Sequence, residues 1–144
     1  MRSSATSDAL RKGSDTMSEE TRERLYDACE HAASWYERMS AGERYCPSCG
    51  KLMTAERCDE CGEDTEDMHD YLADNTYDVK VITDLHGDEL YGCRLMIACG
   101  GPTICIDTEK GIVEGTWGTD RAEVLLSGGC VGEIDDIIKE WMLC

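Results

Sequence analysis

Between Ser18 and Ser40 the apolar positions Leu25, Ala28, Cys29, Ala32, Trp35, Tyr36 and Met39 recur three or four residues apart. That spacing puts them on one side of a helix and predicts an amphipathic helix over 17–44. Thr16 and Glu19 stand three apart as a candidate capping box, with Ser18 as an alternative cap. From Tyr77 the period changes to two. Tyr77, Val79, Val81 and Thr83 alternate with Asp78 and Lys80, the pattern of a half-buried strand. Asp84 to Glu89 reads as a turn, and Tyr91, Cys93, Leu95, Ile97 and Cys99 as a second strand, broken by Gly100-Gly101-Pro102. Thr103–Asp107 and Ile112–Trp117 supply two more strands around a hairpin loop, Thr108 to Gly111, and Arg121–Leu126 a short edge strand. The chain then turns helical, with Val131, Ile134, Ile137, Ile138 and Trp141 on one side and Glu133, Asp135 and Asp136 early in the helix, where its dipole favours them. The expected fold class is α+β: an N-terminal helix, a small cysteine hairpin, then an antiparallel four- to five-stranded sheet with one C-terminal covering helix.

The segments outside this pattern complete the expected organisation. Residues 1–16 are polar and read as a disordered leader, with Met17 as an alternative start. Residues 45–62 form the cysteine hairpin. Residues 63–76 hold six acids and no Lys or Arg, which predicts an acidic linker, or a solvated helix carrying Met68, Tyr71 and Leu72 on one side. Residues 77–144 form the meander and its helix. A sheet domain of that size has a marginal core. It is expected to pack against the helix at 18–40 or to pair with a second copy through the Ile134–Trp141 face.

The hairpin carries the clearest chemistry. Cys46-Pro-Ser-Cys49 and Cys58-Asp-Glu-Cys61 each hold two residues between paired thiols, and a glycine follows each pair, at Gly50 and Gly62. Such spacing lets four sulfurs turn toward one ion while glycine supplies the left-handed backbone the turn needs. So short a hairpin buries no core, and a structural Zn²⁺ supplies on the order of 10–16 kcal/mol in peptides of this scale. The pattern Cys-Pro-x-Cys-Gly with Cys-x-x-Cys-Gly resembles the zinc-ribbon family over 45–62. The expectation is one structural zinc ion on Cys46, Cys49, Cys58 and Cys61, with no open coordination position and therefore no catalysis at the metal.

Composition narrows the function. Fourteen Lys and Arg face 31 Asp and Glu, for a net charge of −17. That field repels nucleic-acid phosphates and anionic lipid. Ten cysteines without a secretory pattern read as intracellular thiols and metal ligands, and no run approaches a membrane span, so a cytoplasmic protein of the host cell is expected. Cys93, Cys99 and Cys105 read as small core residues in preference to a second metal site, Cys29 as core and Cys144 as an incidental thiol. His31 and His69 read as exposed polar residues. His86, between Asp84 and Asp88, reads as part of a turn. Asp120 and Arg121 are a candidate loop ion pair, and Trp117 is core by default and a partner anchor if exposed. No phosphate-binding glycine motif or nucleophile motif is present.

Four strands followed by a helix is an order similar to the positive-cofactor-four fold of single-stranded-DNA-binding coactivators. The segment from Arg94 to Ile104, with Glu114-Gly-Thr-Trp-Gly-Thr-Asp-Arg121 downstream, also resembles small proteins of phages and mobile elements of gut bacteria, some of them similar to anti-CRISPR factors. One such class adopts this fold and nicks DNA. The charge departs from that pattern: from Thr76 to Cys144 thirteen carboxylates face five basic groups, whereas strand binders present basic and aromatic residues. The leading expectation is therefore a non-enzymatic accessory protein that binds a basic, nucleic-acid-binding surface of a host protein. The alternatives are a DNA-acting module with Mg²⁺ on Asp84, Asp88 and Asp107, and a zinc-ribbon adaptor between proteins.

Overall fold

The structure, a computed structural model, describes residues 5–143, with side chains from Glu19 onward. Helix α1 spans Ala5–Ser40. Strands β1 (Arg44–Cys46) and β2 (Lys51–Met53) form a two-stranded hairpin, and helix α2 (Met68–Asn75) follows. A five-stranded antiparallel meander comes next: β3 (Asp78–Thr83), β4 (Leu90–Ala98), β5 (Thr103–Asp107), β6 (Ile112–Trp117) and β7 (Asp120–Leu125), paired in chain order. Helix α3 (Gly128–Met142) ends the chain. This is the expected α+β architecture.

One face of the meander is covered by α1, which lies on β6 and β7, and by α3, which lies against β4 and α1. Alternation puts Cys93 and Leu95, Ile104 and Ile106, and Val113 on that inner face, where they join Cys29, Tyr36 and Met39 of α1 and Ile134 and Ile138 of α3 in one core. The apolar face of α3 is thus buried in its own chain, the packing alternative expected for it. Gly115 lets α1 approach closely, since a Cβ there would lie 2.5 Å from the Cys29 sulfur and 2.8 Å from Leu25 Cδ1. Ser127 caps α3, its hydroxyl accepting from the Cys130 N–H, and Glu37 of α1 accepts from both the Ser127 N–H and its hydroxyl at 2.6 Å. The two covering helices are tied together at that cap.

Three sequence-based boundaries change. The helix runs back through Thr16 and Ser18 to Ala5, so those two residues are not its cap, and residues 5–16 are helical where a disordered leader was expected. Once a helix is nucleated each added residue brings one backbone bond, and Ala5, Ala9, Leu10, Arg11 and Lys12 are good helix formers. Residues 1–4 of that leader, and Cys144, lie outside the described residues. At the other end α1 stops at Ser40, where Gly42 takes φ +108° and the Glu43 N–H returns to the Arg38 carbonyl. The acidic stretch 63–76 is no linker. Its first residues close the cysteine hairpin and the rest form α2, capped by Asp67 and burying Met68 and Leu72. The carboxylates sit at the solvent side, where water screens the repulsion that was expected to extend the segment.

No described element covers the other face of the sheet, yet Glu114 there is only 4% exposed. Register explains it. Cys105 and Glu123 flank Glu114, and the long side chains of Arg94 and Arg121 lie over it. Arg94 Nη2 donates to Glu114 Oε1 at 2.6 Å, Arg121 bonds the other oxygen, and Arg94 also meets Asp107 at 3.5 Å. The expected pair of Asp120 with Arg121 gives way to this network. Arg121 turns to Glu114 and Glu123, while Asp120 meets Arg22 of α1 at 3.9 Å. Strand alternation sends the two neighbours to opposite faces.

Two outcomes are expected. Gly115→Ala should lower stability by about 1–3 kcal/mol through overpacking in a denaturant titration, and adding Cys29→Ala should recover part of the loss. Burial works to raise the Glu114 carboxyl, but Arg94 and Arg121 outweigh it and hold it below the ordinary value. A carboxyl depressed in the folded state stabilises above its unfolded pKa, and that contribution is lost as pH falls through the folded value. Glu114→Gln should therefore cost about 1–3 kcal/mol at neutral pH and flatten the acid limb of a stability-against-pH curve.

Candidate metal centre

The cysteine hairpin builds its site from two tight turns. The Gly50 N–H donates to the Cys46 carbonyl at 2.8 Å and the Gly62 N–H to the Cys58 carbonyl at 2.9 Å, each glycine in the left-handed region at φ +70° and +76°. A side chain at either position would be strained, which is why the motif carries glycine after each pair. The turns bring the sulfurs of Cys46, Cys49, Cys58 and Cys61 within 4.8 Å of one another. Cys46 and Cys61 are 3.5 Å apart, and Cys49 and Cys58 3.7 Å. A tetrahedron with metal–sulfur bonds of about 2.3 Å has edges of about 3.8 Å. The four residues expected from the sequence can therefore hold one metal ion.

Backbone N–H groups point at the sulfurs of Cys46 and Cys58. The Cys49 N–H points to the Cys46 sulfur at 3.4 Å. Backbone N–H groups of Cys61 and Glu60 pull the Cys58 thiol down to about 7, while bonds shared with Cys58 and Cys61 push Cys49 up to about 12. Four thiols held this close must share protons, and a cation could take the place of those protons.

The hairpin is longer than its motif. Tyr45 and Glu66 exchange two backbone bonds at 2.8 and 2.7 Å, and Arg57 faces Asp64 across a second bridge. Thr65, buried, accepts from Arg44 Nε and donates to the Ala55 carbonyl. These closing residues were missed because a threonine among acids carries no periodic signal. Tyr45 docks the hairpin on the body: its ring packs edge-on against Trp35 of α1 at 5.8 Å and Tyr71 of α2 at 4.8 Å. The available signal was an aromatic residue directly before the first cysteine.

Among the described residues, this is the group of three or more His, Cys, Asp or Glu side chains whose ligand atoms converge. Cys93 and Cys105 sit on opposite faces of the sheet and Cys99 is exposed, so they form no second site. Cys29 is fully buried, as expected of a core residue. Asp84, Asp88 and Asp107 do not gather either. Asp84 accepts the Asp88 N–H at 2.7 Å within its turn, and Asp107 is held by Arg94 and the Lys110 N–H. The Cys93 thiol lies 3.6 Å from Asp135 and 3.4 Å from the Thr108 hydroxyl. Burial pushes it up to about 12, so it is a poor nucleophile. That cluster fastens α3 to the sheet. His31 is exposed, whereas His69 is half-buried, with Glu140 at 3.2 Å and the Trp141 ring at 6.1 Å. Trp117, expected in the core, is 46% exposed because it stands at the open β6–β7 turn, at the end of the strand pair.

A second feature joins distant parts of the sequence. Asp67 and His69 at the start of α2 face Glu133, Asp136 and Glu140 of α3 across a groove of about 380 Å³. Burial, then Asp67 and Asp136, raise the Glu133 carboxyl. Among the described residues, no helix is long and apolar enough to cross a membrane. Searches of protein-family models, curated proteins and solved structures return no match, so no homologue supports the resemblance to phage and anti-CRISPR proteins.

Removing the metal should loosen the hairpin and spare the sheet. Under chelator, amide exchange at Tyr45, Gly50, Cys58 and Gly62 is expected to accelerate by at least an order of magnitude, with Leu95 and Ile106 unchanged. Because the ligands must be deprotonated, metal should be released as pH falls.

Proposed function

We propose that the four cysteines hold one structural Zn²⁺, and that the chain is a non-enzymatic accessory protein whose acidic surface occupies the basic, nucleic-acid-binding surface of a host protein. Zinc suits a closed tetrahedral set of four thiolates, since it is redox-inert and imposes no geometry of its own. With four protein ligands the ion has no place for water or substrate, so its work is to order the hairpin.

The observation that carries the binding reading is the placement of charge. The fold brings the carboxylates of α2 and α3 around one groove, and the hairpin exposes Asp59, Glu60, Glu63 and Asp64 as well. The bases of that region are already engaged, Lys51 with Glu60 at 3.1 Å and Arg57 with Asp64 at 3.4 Å. A surplus of solvent-facing carboxylates over paired bases repels phosphate and attracts a basic protein surface. A nucleic-acid-binding protein, a defence nuclease among them, presents such a surface. On the uncovered face of the sheet Arg94 and Arg121 are engaged with Glu114, which favours a protein partner over direct strand binding there.

Metal analysis of purified protein should give one zinc per chain, and iron, visible by its thiolate colour, would replace the zinc assignment. Immobilised protein should retain basic nucleic-acid-binding proteins from a bacterial lysate at low salt. Added DNA should displace them, and about 0.5 M salt should weaken them strongly. A triple change of Asp67, Asp70 and Asp74 to Asn should reduce retention. If no basic protein is retained, the binding reading falls.

A further inference from the structure

A cavity of about 420 Å³ lies where the cysteine hairpin meets the body, between α1, α2 and the β3–β5 end of the sheet. Its walls are aromatic: Trp35, Tyr45, Tyr71 and Tyr77, with His31 at the α1 edge and Asn75 at the α2 end. The rings of Trp35, Tyr45 and Tyr71 meet at 4.8–6.1 Å with interplanar angles of 45–73°, so their faces line different sides of the junction. Tyr77, 68% exposed, forms a lip. Packing explains Tyr36 nearby, which is buried, but not an open aromatic recess with a tyrosine held out over it.

Two further observations describe the occupant. The Trp35 indole N–H is shielded from solvent and makes no hydrogen bond of normal geometry. Its contact with the Tyr71 hydroxyl is at most a weak bond, which lowers that hydroxyl against the larger upward push of burial. A buried donor left this way is costly and calls for an acceptor. The lining holds no Asp, Glu, Lys or Arg, and the charge that acts on it is negative. Glu66, paired to Tyr45 through the backbone, is influenced by Asp74, Asp70 and Asp67, and acts in turn on Tyr71.

We propose that this cavity is a binding site for the guanidinium group of an arginine side chain, taken against the rings of Trp35, Tyr71 and Tyr77, with Glu66, which acts on Tyr71, supplying the negative field and a peptide carbonyl accepting from the Trp35 indole. Aromatic faces attract a cation through their quadrupoles. Guanidinium is favoured over ammonium because it is planar, stacks on rings and sheds its water at lower cost. The site depends on the acidic-surface reading only for its source, a basic partner protein, and it adds the anchor that a field of exposed carboxylates lacks.

The test titrates the full, metal-loaded chain with N-acetyl-arginine amide, the lysine amide and the neutral citrulline amide, following the three tryptophan indole resonances by NMR. The Trp35 indole should shift saturably with the arginine compound, several-fold more weakly with lysine and not with citrulline. Trp117 and Trp141 should stay still. Tyr77→Ala removes an exposed ring and should weaken arginine binding about 2- to 5-fold while leaving the sheet amides in place. Glu66→Gln should weaken it as well. A silent Trp35 resonance overturns the site, an equal response to citrulline reduces it to an apolar recess, and an equal response to lysine overturns the guanidinium assignment. Arginine binding without capture of any basic protein would leave the site standing and remove the acidic-surface reading. Capture by a chain whose Trp35 is silent would do the reverse.

Discussion

Helix α1 presents one apolar stripe to two partners, and the rest of the molecule closes on it. In the middle of the helix Leu25 and Cys29 press on β6 at Gly115, the one inner-face position where a missing side chain admits them. Further along, Trp35 and Tyr36 receive the cysteine hairpin and α2. Neither partner makes a complete core alone. The sheet has helices on one face only, and the hairpin has no interior beyond its sulfurs. The same stripe therefore stabilises a sheet that lacks a second layer and a hairpin that lacks a core.

The uncovered sheet face shows how a layer is sealed without a covering element. Glu114 would be costly to bury unpaired, and its two arginines satisfy both oxygens while their stems cover it. This use of Arg94 and Arg121 also bears on function. Side chains committed to an internal carboxylate are not free for a nucleic-acid backbone, in keeping with the protein partner proposed above.

The hairpin connects the structural and functional readings. Four sulfurs at tetrahedral spacing order it, and Tyr45, directly before the first ligand, carries that order into the aromatic junction with Trp35 and Tyr71. The acidic residues that follow close the hairpin through Glu66 and cap α2 through Asp67. One short stretch of chain thus contributes to the candidate metal centre, to the aromatic recess and to the acidic groove, whose other walls come from α1, the sheet and α3.

Local spacing by itself determined the four ligands, the five strands with their turns, and the buried stripes of α1 and α3. Each follows from a period of two, of three to four, or from a fixed knuckle, and such periods act within a few residues. Tertiary structure alone decided what depends on partners far away in the chain. It made 63–66 the closing segment of the hairpin and chose the helix over the linker for the rest, because Thr65, Met68 and Leu72 find their burial against other elements. It turned Arg121 from Asp120 to Glu114, exposed Trp117, and brought Asp67 to Glu133 and Trp35 to Tyr71. Charge and aromatic residues have no period of their own, so their meaning is fixed only when the packing of apolar faces brings them together.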